Sequence, residues 1–304
     1  GDSLSVSLVD SVWTGNSVSL GTASASTLNA VGGGGAYILS IVTQPLSVVL
    51  QNSVFASNVL SVASANGLLC FVGGSSLYVY AESETTVQLS GVHVSASQLT
   101  VSAVNAAFAL SGGGFYFCSL DNLYLLATNV TFQQNMASLQ NVHARDDTLL
   151  GGAGLYTWSA KLLTSTVSAG SFLQNSVVTS NCNATVVVIG GGGWFAYGQN
   201  NVQSSVVSST VSLNSVAVSG LVAFVGDADF SGVVVAGGSG LLFTLAVGQP
   251  VASISVMSSY FSQNEFVGSG VEAPNEIVAG GSSVLFFADG VITLSGCTVT
   301  DNRV

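Results

Sequence analysis

Residues able to do chemistry are sparse in this 304-residue chain, and three short stretches collect most of them. Asp227 and Asp229 stand two apart in Gly226-Asp227-Ala228-Asp229, a spacing that places both carboxylates on one strand face or around a turn. Two carboxylates do not complete the roughly six to eight oxygens that calcium takes, so a solvated loop is expected there. Arg145, Asp146 and Asp147, near His143, form the densest charged cluster and read as a surface insertion with a local ion pair. Glu272 and Glu276 flank Pro274 where the surrounding alternation breaks, which reads as a protruding loop. Glycoside hydrolysis needs converging carboxylates, and lyase chemistry on a uronate needs a basic residue or a metal. None of the three stretches assembles either set.

The other reactive residue types fare no better. No serine lies in a nucleophile-elbow context, and the run Gly32–Gly35 is not followed by Lys-Ser/Thr, so it is no phosphate loop. Cys70, Cys118, Cys182 and Cys297 are too widely spaced for a zinc motif; they leave open either disulfides or thiols buried beside apolar runs. Three Lys plus Arg stand against 14 Asp plus Glu, a formal charge of −11. That balance excludes a phosphate-neutralising surface, so no nucleic-acid partner is expected, and there is no basic patch for anionic lipid. The apolar runs are too short to cross a bilayer. No cofactor is expected. Asn129-Val130-Thr131 and Asn183-Ala184-Thr185 are N-glycosylation sequons.

What must position these residues is a repeat. Seven glycine clusters begin at Gly32, Gly73, Gly112, Gly151, Gly190, Gly237 and Gly280, in steps of 41, 39, 39, 39, 47 and 43 residues. Each opens into an aromatic or aliphatic run. Five positions from each first glycine stand Tyr37, Tyr78, Phe117, Tyr156, Phe195, Leu242 and Leu285, an apolar column. Between clusters, an aromatic or branched residue precedes an asparagine by three positions, giving Asn16, Asn58, Asn135, Asn175, Asn214, Asn264 and Asn302. These asparagines read as a structural turn ladder, and the glycines as turns or close backbone approaches. Segments such as Ser3–Leu8 alternate small polar with aliphatic residues at period two, as half-buried strands do.

The two motifs divide each unit of about 40 residues into halves of about 20, the length of one coil of a parallel β-helix. On that reading about 15 coils stack into a rod of roughly 70 Å. His93 and His143 are 50 residues apart, not a whole number of coils, so they share no site.

Together the motifs, in forms such as GGGGAYI at 32–38, GGAGLY at 151–156, Phe55-Ala56-Ser57-Asn58, Phe132-Gln133-Gln134-Asn135, Phe172-Leu173-Gln174-Asn175 and Phe261-Ser262-Gln263-Asn264, resemble the tandem repeats of the chlamydial polymorphic outer membrane proteins and similar repeats in protist surface proteins. The resemblance spans nearly the whole chain. It implies a right-handed extracellular β-helix used for adhesion or surface display. The expected molecule is a single domain over 1–304, a portion of a longer secreted or surface chain. It is expected to be a non-catalytic rod whose partners are proteins, copies of itself or surface glycans. Two alternatives remain open: a polysaccharide-active enzyme, and a carbohydrate-binding module with Trp158, Trp194 and Tyr197 facing outward.

Overall fold

A computed structural model describes residues 3–224, 233–245, 251–287 and 290–304. They form an all-β parallel solenoid. The first coil holds five strands: β1 (Leu4–Val9), β2 (Val12–Thr14), β3 (Ser17–Ser24), β4 (Leu28–Gly32) and β5 (Ala36–Ser40). Later coils repeat the series, the β3 and β4 rows merging into one strand at Val59–Gly73. Among the described residues the rows stack into an outer sheet of eight strands on β1, a corner sheet of eight on β2, a folded sheet of thirteen on β3 and β4, and a central sheet of seven on β5.

One coil is a whole repeat, not half of one. Gly112 pairs with Gly151 and Gly151 with Gly190, each 39 residues on. The expected coil of about 20 residues is therefore corrected: the glycine and asparagine motifs mark two turns of the same coil. The physical reason lies in the central sheet. Leu77–Ala81, Phe115–Ser119, Leu155–Ser159 and Trp194–Gly198 are buried at every position, as strands covered on both faces must be. Leu77, Val79 and Ala81 pack with Leu46, Val48 and Leu50 of the outer sheet and Phe55 of the corner. Tyr78 and Tyr80 point the other way, to Phe71 in the β4 row, whose opposite face carries Cys70 and Val72 against Leu60 and Val62 in the β3 row. The coil is thus four layers deep. Eight strands at about 4.8 Å make a stack of about 35 Å, half the expected length.

The seven first glycines of the clusters pair in one line. A Cβ on Gly73 would overlap the ring of Tyr116, one on Gly112 that of Tyr156, and one on Gly151 that of Phe195. The column lacks side chains because the next coil's ring lies over it. Those rings, Tyr37, Tyr78, Tyr116, Tyr156 and Phe195, stack with centroids 4.7–5.0 Å apart and planes within 4°. Tyr116, not Phe117, fills the third place. The turn Gly112-Gly113-Gly114 is one residue shorter than Gly151-Gly152-Ala153-Gly154, so a fixed count from the first glycine overshoots there. The second glycine has the left-handed role, with φ of 69° at Gly33 and 56° at Gly152.

The asparagines recur in every coil but one and form a bonded ladder. Asn135 donates from both its main-chain N and Nδ2 to Oδ1 of Asn175, at 3.2 and 2.9 Å. Asn175 does the same to Asn214, Asn214 to Asn264, and Asn264 to Asn302. The second amide hydrogen goes down to the corner strand, as from Asn175 Nδ2 to the Phe132 carbonyl at 2.9 Å. Each buried amide is fully used, which avoids the ~1–3 kcal/mol cost of an unpaired polar group. The left-handed residue of this turn is the one before the asparagine: Ser57, Gln134, Gln174, Leu213 and Gln263 have φ between 53° and 58°.

Candidate functional site

The turn joining β4 to β5 points at the corner, where Asn58 Nδ2 donates to Ser76 Oγ at 3.2 Å. The β4 row runs toward that corner and the β5 row away from it. The turns that enter β4 and leave β5 consequently share the opposite edge of the solenoid, a rim where most of the described charges collect.

One side of the rim carries Glu82, Glu84, Asp121, Asn122 and Lys161. Lys161 Nζ lies 2.9 Å from Asp121 Oδ2, and Asn122 Nδ2 donates to Glu84 Oε2 at 3.4 Å. The other side carries His143, Arg145, Asp146 and Asp147. Arg145 and Asp146 form an exposed ion pair at 3.0 Å. His143 Nδ1 lies 3.3 Å from Asn183 Nδ2 in the next coil. Asp147 sits inside the rim, where burial, and then the charge of Asp146, push its carboxyl up to about 6. Its charge in turn adds to the burial that raises the Tyr197 hydroxyl. The rim therefore offers a half-buried proton-holding carboxyl and an ammonium already paired with a carboxylate.

The stretches expected as loops fall differently. Residues 145–146 are the regular turn between the β3 and β4 rows, held by Arg145 N to Ala106 O at 3.0 Å and Asp146 N to Ala107 O at 2.7 Å, rather than an insertion. Glu272 ends one strand and Glu276 begins the next, so Pro274 occupies the same turn in the seventh coil. Asp227 and Asp229 lie outside the described residues. His93 is on the corner sheet and His143 on the folded sheet. Trp158, Trp194 and Tyr197 are 4%, 0% and 7% exposed, so these rings line the interior, not an outer groove. All four cysteines are free thiols. Burial raises Cys70 to about 11 and Cys182 to about 12, which keeps them protonated and unreactive. Asn129 is exposed at the turn between outer and corner sheets, whereas Asn183 is half-buried beside His143.

The pairs Glu84–Asn122 and Asp121–Lys161 escaped the sequence reading. Their separations of 38 and 40 residues are the signal, since each is one coil. Among the described residues no three His, Cys, Asp or Glu side chains gather as a metal site, and no helix is long and apolar enough to cross a membrane. No family model matches the chain, nor does any curated protein or solved structure. What the geometry defines is a parallel β-solenoid with repeats of about 39 residues.

Proposed function

We propose that the chain is a non-catalytic structural rod of an extracellular or cell-surface protein, serving adhesion, display or a surface fibre. One observation carries this reading: the residues that recur coil after coil are engaged with the same residue of the neighbouring coil. The asparagine amides bond one another, the rings lie on one another and the glycines admit those rings. Conserving a contact between coils conserves stiffness and length. Kinship with the polymorphic outer membrane protein repeats is part of the proposal and rests on the Gly-Gly and Phe-x-x-Asn motifs, now seen as two turns of one coil. Exposed Asn129 is the favoured glycan site.

The polysaccharide-active alternative is supported by the rim, where Lys161 pairs with Asp121 and Asn122 with Glu84 across successive coils. Incubation with neutral and acidic polysaccharides, read by new reducing ends and by unsaturated products, separates the two. Turnover that disappears in Lys161→Ala and Asp121→Asn would make the chain an enzyme and end the rod reading. Absence of turnover on both polysaccharide classes, with the chain folded throughout, is the expected result.

A further inference from the structure

The outer sheet pairs residue to residue through all eight strands, so every second side chain faces out in straight columns. None of these outward residues is charged, in a chain of net charge −11. The middle column runs through Val49, Gln88, Leu126, Thr166, Ser205 and Ser255. Apolar groups are exposed on this face, Leu126 at 50% on the middle column and Met257 at 37% on the column beside it. Parallel sheets usually have both faces covered. Here the central sheet and the β4 row meet that rule; the outer sheet and the β3 row do not, and of these two the β3 row carries outward charge, at Glu265 and Glu272.

We propose that this face docks a second copy of the chain, the two rods lying side by side with outer sheets in contact. The inference rests on reading the chain as a structural rod. Eight strands at about 4.8 Å and six residues at about 3.3 Å give a face of about 750 Å², close to the roughly 800 Å² per partner of a standard stable interface. A two-fold axis parallel to the rods is the arrangement the charges favour. It lays the middle column against itself and brings the acidic rim, with Glu82 and Glu84, opposite the corner turn of the other copy. That turn holds Asp10 in the first coil and then Asn52, Gly91, Asn129, Ala169 and Ser208, which are uncharged where Glu82 and Glu84 would face them. Turning one rod end for end would instead oppose rim to rim. A neutral polysaccharide would also tolerate an uncharged face, but it would not require the charges to be sorted to one edge.

Sedimentation velocity of the unglycosylated 304-residue chain over a dilution series tests the proposal. A reversible dimer is expected. The pair Gln88→Lys with Thr166→Lys, both outward on the middle column, should weaken it about a hundredfold, because each lysine meets its own copy. Ser138→Lys, outward on the β3 row, should leave the dimer intact. Far-UV circular dichroism and the melting temperature should match the parent in both variants. A chain that stays monomeric at every concentration, or a dimer broken by Ser138→Lys and not by the lysine pair, overturns the proposal. So does a monomer that co-sediments with an insoluble neutral polysaccharide through this face. A monomer that keeps its fold and lacks turnover leaves the structural reading standing, so the two failures are distinguishable.

Discussion

Position 97 is the one place where the asparagine ladder is interrupted, and the cause sits across the coil. Glycine precedes the central strand at Gly35, Gly114, Gly154, Gly193 and Gly240, but Ser76 and Ser283 take that place in two coils. A Cβ at Gly114 would stand 3.2 Å from the Ala153 carbonyl and 3.4 Å from Asn135 Cγ in the next coil, and one at Gly154 the same 3.4 Å from Asn175 Cγ. Ser76 therefore fills the space that an asparagine would need at position 97. Ser97 stands there instead, and the two hydroxyls bond at 2.5 Å. Ser283 keeps company with Asn302 only in the half-exposed last coil. Ser97→Asn alone should overpack the site and cost about 1–3 kcal/mol. Ser76→Gly alone removes a partner from Asn58 Nδ2 and from Ser97 Oγ, costing about 1–2 kcal/mol. Together the two substitutions make room for the new amide, which accepts from Asn58 N and Nδ2 and donates to Asn135 Oδ1. Three bonds gained at about 0.5–1.5 kcal/mol each, against the Asn58–Ser76 and Ser76–Ser97 bonds lost and about 0.5–1 kcal/mol for the added glycine, leave the double variant within about 1 kcal/mol of the parent. The coupling is then about 2 kcal/mol or more. Urea unfolding of the four proteins measures it, and hydrogen exchange of the Asn58 amide reads the restored bond directly. Costs that add to within about 0.5 kcal/mol, or an Asn58 amide no better protected, would refute the steric pairing.

Other expectations are more direct. Gly112→Ala should cost about 1–3 kcal/mol by forcing its Cβ into Tyr156, while Gly21→Ala, with nothing within 4 Å, should be close to neutral in the same denaturation assay. Asp147 holds its proton more tightly folded, at about 6, than unfolded, near 3.8, so its effect favours the folded state below about pH 4 and fades as pH climbs through 6. The difference is worth up to about 3 kcal/mol, and Asp147→Asn should flatten stability between pH 4 and 6; an unchanged slope would exclude this carboxyl as its source. A thiol reagent should label Cys297 readily in the native chain and Cys70, Cys118 and Cys182 only after denaturation, each identified by peptide mass. Early labelling of Cys118 would contradict a closed ring compartment.

The parallel solenoid and its glycine line were legible because both follow from spacing, which stacking converts directly into contact. Coil length was not. Nothing in the interval between Gly151 and Phe172 says whether two turns lie above one another or across from one another. The deciding signal was the unalternated runs, Leu-Tyr-Val-Tyr at 77–80 or Trp-Phe-Ala-Tyr at 194–197, which only a strand buried on both faces needs. Once the coil is 39 residues, the rim follows, since Asp121 and Lys161 become neighbours. The burial of Trp158 and Tyr197 follows too, being a property of the layer between two others and not of any residue's own type.

The turn between β4 and β5 is enclosed by the corner, and this restricts where the family of coils can change length. Its only variation is the loss of one residue at Gly112-Gly113-Gly114. The long 47-residue step is taken up instead between the strand ends Ala223 and Val233, and part of the 43-residue step between the strand ends Leu245 and Val251, strand ends that meet the rim. Evolution of this molecule thus has a free margin and a fixed hinge. A peptide or small domain grafted at successive rim turns would be carried in rows about 4.8 Å apart, whereas a single extra residue at the enclosed tip would have to part the asparagine ladder from the ring stack.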